Sequence, residues 1–490
     1  MKSKDLRTIR DLNQARRRVM NMKKNGKLPK PRKAYRYAPE TRLIWGKSFT
    51  PKWDYAHHVV PPLSSSSAFR LDSTKRGARG FVEFAHHAGD FRVESKAPVY
   101  IYDRLGEPNK DMLEENLAIA EQGECAVTFT TGMAAVSALC GILLGSGGEV
   151  VAHRMLYGCT YSLFKNWLPR YRINVKWVDF NDPKELDQSI SPQTRLLYFE
   201  SPVNPTMDLI DLAAVVETAR RHNRHRTPEH RLFTAVDNTF ATPFCQRPIE
   251  HGIDFVVESL TKGICGFGTD MGGVVVGPRW SEDALLLYRK DFGGVLASKS
   301  AWPILVYGLP SLAVRFKQQM QNARTVAEAL ERDKRISYVS YPGLDSFPQR
   351  ILAQTQMQDY SGGFAPGTMI YFIPKGATPI ERHRKAESFV DYVAEHSYSM
   401  TLAVSLGNIR TLIEHPGSMT HSSIPQDEQL KRGMDPGGIR LSVGLEQPED
   451  IISDLQDALD HMEHLPRKKV FRVSRNGHER KQAAKSKHHT

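Results

Sequence analysis

The sequence predicts an α/β protein with a large domain that holds a mostly parallel sheet and a smaller C-terminal α/β domain. Between about residues 100 and 280, short runs rich in Val, Ile, Phe and Tyr alternate with helical patterns. That alternation is typical of buried parallel strands joined by crossover helices. From about residue 305 onward, one long helix candidate is followed by smaller elements, and this change indicates the second domain.

Six runs are predicted to be strands because they are short and rich in β-branched and aromatic residues. They are GEVVAH (148–153), NVKWVDF (174–180), RLLYFES (195–201), RLFTAVDNTF (231–240), IDFVVES (253–259) and GGVVVGP (272–278). Helices are predicted over 212–222 and 312–332, and FTTGMAAVSALCG (129–141) predicts a strand end, a glycine turn and a helix. Ligands bind beyond the carboxyl ends of strands in such sheets, so polar residues at those ends are the first candidates for a site.

The chain is expected to divide into five parts along its 490 residues. These are a basic N-terminal extension (1–56), a segment at subunit contacts (57–100), a large cofactor-binding domain (101–305), a smaller C-terminal domain (306–465) and a basic tail (466–490). The net charge of +13 belongs to the two ends, since residues 1–36 and 466–490 hold most of the excess Lys and Arg. Such ends are solvated extensions or contacts for an anionic partner.

Within the N-terminal extension, a near-helical spacing of apolar residues predicts a short amphipathic helix. The residues are Leu6, Ile9, Leu12 and Val19.

The cysteines and the apolar runs indicate a cytoplasmic protein without membrane contact. The five cysteines show no CxxC spacing, so neither a disulfide framework nor a metal site is expected. No apolar run reaches the roughly 18 residues that span a bilayer, and the N-terminus has no apolar signal region.

The segment SLTKGICGFGTDMGG (259–273) places Lys262 at the carboxyl end of a predicted strand. A nucleotide-binding phosphate loop is excluded because its glycines precede the lysine, whereas here they follow it. Asp237 ends another predicted strand, and a lysine with a carboxylate at strand ends is the pair that pyridoxal phosphate (PLP) requires. A plain salt bridge between the two residues remains an alternative at this point.

A possible phosphate site strengthens the PLP hypothesis. The amides of Gly132 and Met133 lie where a helix is predicted to begin, and helix N-termini bind anions. Ser259 and Thr261 flank Lys262 and offer hydroxyl donors. The glycines after Lys262 are expected to let the backbone turn away beneath the cofactor.

Several motifs in order resemble the Cys/Met-metabolism (trans-sulfuration) family of PLP enzymes of fold type I, from about residue 60 to 462. They are YDRLGEP (102–108), TTGMAA (130–135), LYGCT (156–160), ESPVNPT (200–206), VDNTF (236–240), SLTK (259–262), YPGL (341–344), VSLGNIRTLIEHPGSMTHS (404–422) and IRLSVGLE (439–446). The resemblance implies a PLP-dependent transferase-like fold of type I and a PLP-dependent carbon–sulfur lyase.

The resemblance also implies roles for the catalytic and cofactor-binding residues. Lys262 is expected to form the Schiff base, Asp237 to pair with the pyridine nitrogen, and Tyr157 to stack on the ring and exchange a proton with the leaving group. A phenol near a cationic cofactor has a lowered pKa that suits proton transfer. The phosphate contacts are expected from Gly132, Met133, Ser259 and Thr261 of one subunit, and from Tyr102 and Arg104 of its neighbour. The expected assembly is therefore a homotetramer of dimers that share active sites.

Substrate binding is expected at Arg440, whose guanidinium grips a carboxylate with two hydrogen bonds, helped by Ser405 and Asn204. Cys159 and the pair Lys290 and Asp291 resemble positions of methionine γ-lyases. Val404 stands where many cystathionine-processing enzymes carry Glu. These positions favour α,γ-elimination of L-methionine to methanethiol, 2-oxobutanoate and ammonia.

Other functions remain open. Cystathionine γ-lyase activity, and γ-replacement on an O-acylhomoserine as in cystathionine γ-synthase, are the alternatives within the family, because the chain departs from the family pattern at Phe267 and Tyr307. A protein associated with nucleic acid through its basic ends is the distant alternative, although no nucleic-acid-binding motif is found.

Overall fold

The computed structural model describes residues 38–45, 59–84, 100–420, 429–430 and 433–464. The basic stretches 1–36 and 466–490, and with them the predicted amphipathic helix, lie outside the described residues.

The larger sheet has seven strands and forms the centre of the molecule. Its strands are β1 (Cys125–Phe129), β2 (Glu149–His153), β3 (Asn174–Val178), β4 (Thr194–Glu200), β5 (Phe233–Asp237), β6 (Phe255–Ser259) and β7 (Gly273–Gly277). They lie in the order β1-β7-β6-β5-β4-β2-β3. Strands β2 to β6 pair in parallel, and only β7 runs antiparallel to both of its neighbours in this sheet. Each of the six predicted strands is present.

Helices cover both faces of this sheet. They are α1 (Pro39–Trp45), α2 (Thr74–Glu83), α3 (Pro108–Ala120), α4 (Gly132–Leu143), α5 (Gly158–Ser162), α6 (Pro183–Ser189), α7 (Leu212–Asn223), α8 (Thr242–Cys245), α9 (Glu282–Phe292) and α10 (Ser298–Pro303). Shorter 3-10 turns lie at Leu168–Tyr171, Pro228–His230, Pro248–His251 and Arg279–Ser281, and π turns at Leu163–Trp167 and Ile304–Gly308.

The burial of both faces explains why these strands are apolar without alternation. Val150 and Ala152 belong to the apolar core on one face, while Val151 between them belongs to the core on the other. Successive side chains of a strand point to opposite faces, so a strand buried on both sides needs apolar residues at every position.

The second sheet has five strands and lies in the C-terminal part. Its strands are β8 (Ile336–Ser340), β9 (Met369–Pro374), β10 (Met400–Leu402), β11 (Thr411–Glu414) and β12 (Ile439–Ser442), in the order β10-β11-β12-β9-β8. Its helices are α11 (Leu309–Arg332), α12 (Arg350–Gln356), α13 (Pro379–His396) and α14 (Pro448–Glu463). A third apolar core lies between this sheet and the helices.

Helix α11 joins the two parts. Leu312 and Phe316 in its first half belong to the core of the large sheet, whereas Val326 and Leu330 in its second half belong to the core of the small one. The helix therefore packs against both sheets, and the domain boundaries stated above stay predictions. No helix among the described residues is long and apolar enough to cross a membrane.

Candidate active site

The candidate site lies at the carboxyl ends of strands β4, β5 and β6. Glu200 and Asp237 end two of these strands and stand opposite each other in register. Ser259 ends β6, and Lys262 follows in the turn after it. Because these parallel strands share an edge, Asp237 and Lys262 both lie at that edge, and their pairing through a cofactor stays a prediction.

Lys262 reaches across to the small sheet. Its Nζ donates to Ser405 Oγ at 3.0 Å. Burial lowers the pKa of the Lys262 amine, and the positive charge of Arg440 lowers it further, while Glu414 opposes the shift. Burial and a nearby cation both favour the neutral amine, which is the form that acts as a nucleophile or base.

Arg440 lies at the centre of a buried polar cluster. Its Nη1 donates to Asn204 Oδ1 at 3.0 Å and its Nη2 to the Ser405 carbonyl at 3.1 Å. The structure therefore brings together Lys262, Ser405, Asn204 and Arg440, which the resemblance had grouped only by motif.

Glu414 is a residue of this cluster that the sequence analysis missed. It lies 3.0 Å from Arg440 as a buried ion pair, because β11 and β12 place the two residues opposite each other. Burial raises the pKa of the Glu414 carboxyl, and Arg440 counteracts that shift. The glutamate stands inside the quoted motif TLIEHPGSMTHS, but only the strand register shows its partner.

Glu200 is the second residue that was missed. Its Oε1 accepts from the backbone amide of Tyr157 at 2.6 Å. Burial raises the pKa of the Glu200 carboxyl to about 8, and the neighbouring charge of Asp237 adds to the shift. Burial likewise raises the pKa of Asp237, and donors at Thr239 oppose the change. Ionising two neighbouring carboxyl groups costs free energy because the negative charges repel. The pair therefore favours a proton on one of them or a cation next to them.

The predicted phosphate residues form a cradle at the N-terminus of α4. The Thr131 side chain caps the helix by accepting from the Ala134 amide at 3.1 Å. A Cβ on Gly132 would lie 3.1 Å from Ser259 Cβ, so glycine leaves the space between helix and strand open. Thr261 is held in place by the Gly272 amide, which donates to its Oγ1 at 3.1 Å. The amides at the start of α4 therefore lie beside Ser259, and Met133 follows Gly132 in the first turn.

The glycines after Lys262 leave room for neighbouring parts of the protein, and their predicted role beneath the cofactor stays a prediction. Gly266 has a φ of +76°, and a Cβ there would collide with the Arg315 guanidinium, which donates to the Gly263 carbonyl at 3.0 Å. A Cβ on Gly273 would collide with the Thr131 carbonyl. The missing side chains leave space for the Arg315 guanidinium at Gly266 and for the start of α4 at Gly273, so these glycines allow close packing within the protein.

Tyr157 and Cys159 lie together at the entrance of the site. Cys159 Sγ donates to Tyr157 Oη at 3.5 Å, and both side chains are exposed. Partial burial raises the pKa of the Tyr157 phenol, the hydrogen bond with Cys159 adds to the rise, and Arg440 opposes it. Without a cofactor cation the phenol thus keeps its proton, whereas a lowered pKa was expected in the presence of one.

Four predicted residues lie apart from Lys262 in this subunit. Arg104 donates through Nη1 to the Lys290 carbonyl at 2.5 Å and lies 5.7 Å from the centre of the exposed Tyr102 ring. Lys290 pairs with its neighbour Asp291 at 3.3 Å. These contacts link the four into one surface cluster of Tyr102, Arg104, Lys290 and Asp291, and none of the contacts described for them involves Lys262.

Comparison with known proteins identifies the family. The sequence model of the family described as Cys/Met metabolism PLP-dependent enzyme matches residues 43–460. The chain belongs to this family. The match confirms the predicted PLP cofactor and the class of carbon–sulfur lyase.

Relatives of this PLP enzyme have several activities. The chain is 38% identical over 405 residues to the L-methionine gamma-lyase of Porphyromonas gingivalis, which covers 82% of this chain and 93% of the relative. It is 37% identical to a cystathionine beta-lyase of Staphylococcus haemolyticus, covering 86% of this chain and 94% of that one. The crystal structure of cystathionine gamma-lyase from Lactobacillus plantarum superimposes with a TM-score of 0.73 at 28% identity, covering 87% of this chain and 100% of the other. These matches confirm the predicted fold type I.

The residues present fit PLP. A glycine cradle at a helix N-terminus suits the phosphate, the carboxyl pair of Glu200 and Asp237 suits the pyridine nitrogen, and the buried Lys262 suits the aldehyde.

Proposed function

We propose that this PLP enzyme catalyses α,γ-elimination of L-methionine, giving methanethiol, 2-oxobutanoate and ammonia with uptake of one water. The observation that carries the proposal is the contact between Cys159 Sγ and Tyr157 Oη at 3.5 Å. Cys159 is the position at which this chain resembles methionine γ-lyases. The relative from Porphyromonas gingivalis, named L-methionine gamma-lyase, supports it.

The substrate carboxylate is proposed to bind at Arg440. Asn204 and the Ser405 carbonyl accept hydrogen bonds from the guanidinium, and Glu414 neutralises its charge. The orientation of the guanidinium is therefore fixed before the substrate binds. A fixed fork loses little conformational entropy on binding a carboxylate.

Two residues are proposed to move protons. The neutral amine of Lys262, favoured by burial, removes the proton from the substrate Cα, and PLP, when bound, supplies the electron sink that stabilises the resulting negative charge. The protonated phenol of Tyr157 donates to the sulfur that leaves Cγ. The raised pKa keeps the phenol protonated in the cofactor-free site, and a bound cationic cofactor would lower that pKa toward the range that suits proton transfer.

The uncharged entrance favours methionine over a longer amino acid with a second charged end. Val404, directly before Ser405, is 61% exposed and offers no charge. The thioether methyl group of methionine needs no polar partner, whereas the distal ammonium and carboxylate of cystathionine do.

The surface cluster of Tyr102, Arg104, Lys290 and Asp291 is proposed to complete the site of a neighbouring subunit. The cluster does not contact Lys262 of its own subunit, as is expected of residues that act across a dimer interface. The family resemblance implies that Tyr102 and Arg104 bind the cofactor phosphate in the neighbouring subunit. Two dimers would form the proposed homotetramer. We place the enzyme in the cytoplasm.

A substrate panel tests the proposal. Purified enzyme is incubated with methionine, cystathionine, homocysteine and O-acetylhomoserine with and without an added thiol, and 2-oxobutanoate and released thiol are measured. We expect 2-oxobutanoate and methanethiol from methionine in equal amounts. Rapid release of 2-oxobutanoate from cystathionine with none from methionine would replace this function with cystathionine cleavage. Consumption of the added thiol by O-acetylhomoserine without release of 2-oxobutanoate would replace it with γ-replacement.

Cys159→Ser gives a matched control within the panel. The hydroxyl keeps a donor to Tyr157 but removes the polarizable sulfur. We expect the rate with methionine to fall more than the rate with cystathionine, and equal losses with both substrates would remove Cys159 from the proposal.

A further inference from the structure

A second cluster of chemically active side chains lies outside the proposed active site, between the small sheet and helix α13. It consists of His383 and Glu387, one turn apart on α13, together with His415 and Ser418 in the turn after β11. One ligand atom each from His383, Glu387 and His415 lie within 4.8 Å of one another.

A single backbone carbonyl fixes which nitrogen of each imidazole is free. The Pro436 carbonyl lies 2.6 Å from His415 Nε2 and 3.1 Å from His383 Nδ1. A carbonyl only accepts, so both of those nitrogens carry hydrogen. The lone pairs then remain on His415 Nδ1 and His383 Nε2, which both face Glu387 and Ser418.

Counting protons shows that the cluster needs a cation. Glu387 Oε1 lies 3.2 Å from His383 Nε2 and 3.0 Å from Ser418 Oγ, and Ser418 Oγ lies 3.0 Å from His415 Nδ1. When both imidazoles are neutral, His383 Nε2, Glu387 Oε1 and His415 Nδ1 are acceptors, and the Ser418 hydroxyl supplies the single hydrogen among the four atoms. Acceptors that face one another without a donor repel, so an additional proton or a metal ion belongs among them.

The hydrogen bonds that hold the two imidazole rings match those found at metal centres. Histidines that bind metals almost always donate their other N–H to a carbonyl or carboxylate, which fixes the ring and its tautomer. Both histidines here do so through Pro436. Two imidazoles and a carboxylate are borderline ligands that suit Zn²⁺, with a hydroxyl or water as the fourth ligand.

We propose that His383, Glu387 and His415, with Ser418 beside them, form a binding site for one divalent transition-metal ion of the Zn²⁺ type. Ligand atoms about 2.0–2.1 Å from Zn²⁺ lie roughly 3–4 Å apart, so the three ligand atoms, which lie within 4.8 Å of one another, would approach by up to about 1–2 Å to bind an ion. Glu387 is half-exposed and the His383 side chain is 21% exposed, so the ion reaches the site from solvent. The absence of paired cysteines had predicted no metal site.

The site adjoins the proposed active site along the chain. His415 directly follows Glu414, the partner of Arg440, and Thr420 at the end of the same turn donates to Glu414 at 2.9 Å. The inference nevertheless rests on the cluster alone and does not depend on the proposed function.

Cobalt titration tests the site. Full-length PLP-loaded enzyme is treated with chelator and dialysed, and Co²⁺ is added while d–d absorption of the bound ion is followed, with Zn²⁺ then used as competitor. We expect one tetrahedral ion per chain, displaced by Zn²⁺. Glu387→Gln and His383→Asn change side chains that reach the surface, so both variants should fold, and each should weaken Co²⁺ binding by more than about tenfold.

His396→Gln is the matched control, since His396 is exposed on the same helix and contacts Tyr392 rather than the cluster. It should bind Co²⁺ as the unchanged enzyme does, and any binding by the C-terminal His488 and His489 stays equal in all variants. No tetrahedral ion in the unchanged enzyme, or equal affinity in Glu387→Gln and His396→Gln, would overturn the site and leave a protonated His383 as the missing cation.

Discussion

At the scale of single residues, Arg440 and Glu414 form a buried ion pair within the candidate site. Both side chains are almost fully buried, and the pair is joined by Asn204 and Ser405. Taking charges out of water is costly unless each finds its partner, so the two residues depend on each other.

Arg440→Gln should therefore destabilise the fold by about 3–5 kcal/mol, because it leaves the Glu414 charge buried without compensation. Urea unfolding measures the change. The double variant Arg440→Gln with Glu414→Gln should be more stable than the single variant, since no charge remains to be buried. Equal stability of the single variant and the unchanged protein would show that Glu414 is not ionised there.

Glu200 gives a prediction about pH. Its folded pKa of about 8 lies above the ordinary value of 4.5. Below pH 4.5 the carboxyl is protonated in the folded and unfolded chains alike, and as the pH rises to about 8 the unfolded chain releases its proton first. The folded state therefore loses stability over that window, by a few kcal/mol in all.

Glu200→Gln should remove this loss in the cofactor-free protein. Unfolding free energies measured at several pH values between 4.5 and 8 should fall less steeply for the variant than for the unchanged chain. Glu217→Gln, at an exposed position on α7, is the control and should leave the slope unchanged. Parallel curves for Glu200→Gln and the unchanged protein would contradict the raised pKa.

The sequence predicts a site residue where that residue belongs to a recognisable motif. It does not predict a residue whose importance comes only from its partner on a neighbouring strand. Lys262 and Asp237 stand in motifs at the ends of strands and Arg440 in a motif within β12, while their roles stay predictions. Glu200 and Glu414 stand in the same motifs, but their importance arises from register with Asp237 and Arg440. Register depends on strand bounds and crossovers, which a local pattern does not determine.

At the scale of elements, the contact between β7 and the start of α4 shapes the phosphate cradle. A Cβ on Gly273 would lie 2.7 Å from Gly132 Cα and would also collide with the Thr131 carbonyl. The strand thus fixes where the helix begins and where its free amides point.

Gly273→Ala should displace the N-terminus of α4. The affinity of the cofactor-free protein for PLP should then fall by more than about tenfold, because at least one or two hydrogen bonds to the charged phosphate are lost. Fluorescence titration with PLP measures the affinity. Gly145→Ala is the control, because a Cβ there meets nothing within 4 Å. Similar affinities for the two variants would place the phosphate elsewhere.

The elements themselves were predicted well because their patterns are local. Continuous apolar runs showed the strands, and the helix predicted over 312–332 begins three residues earlier, at Leu309. The packing of Arg315 and Thr131 against two of the glycines after Lys262 was not predictable, since both residues lie far away in sequence.

At the scale of the whole molecule, the position of the surface cluster of Tyr102, Arg104, Lys290 and Asp291 has a direct consequence for assembly. Arg104 contacts Lys290, and neither contacts Lys262 in the described part of the same subunit. If the cluster serves a neighbour, one active site needs Lys262 from one chain and Arg104 from another.

Mixing two inactive variants tests this arrangement. Lys262→Ala and Arg104→Ala should each have little activity alone. In a mixed dimer, one site has both changes and the other has neither, so subunit exchange in an equal mixture should restore about a quarter of the unchanged rate. Lys262→Ala mixed with Asp237→Ala is the control, because both changes fall in one chain's share of the site and no intact site can form. Activity that stays at the level of the parents in the first mixture would show that each chain carries a complete site, and the surface cluster would then need another explanation.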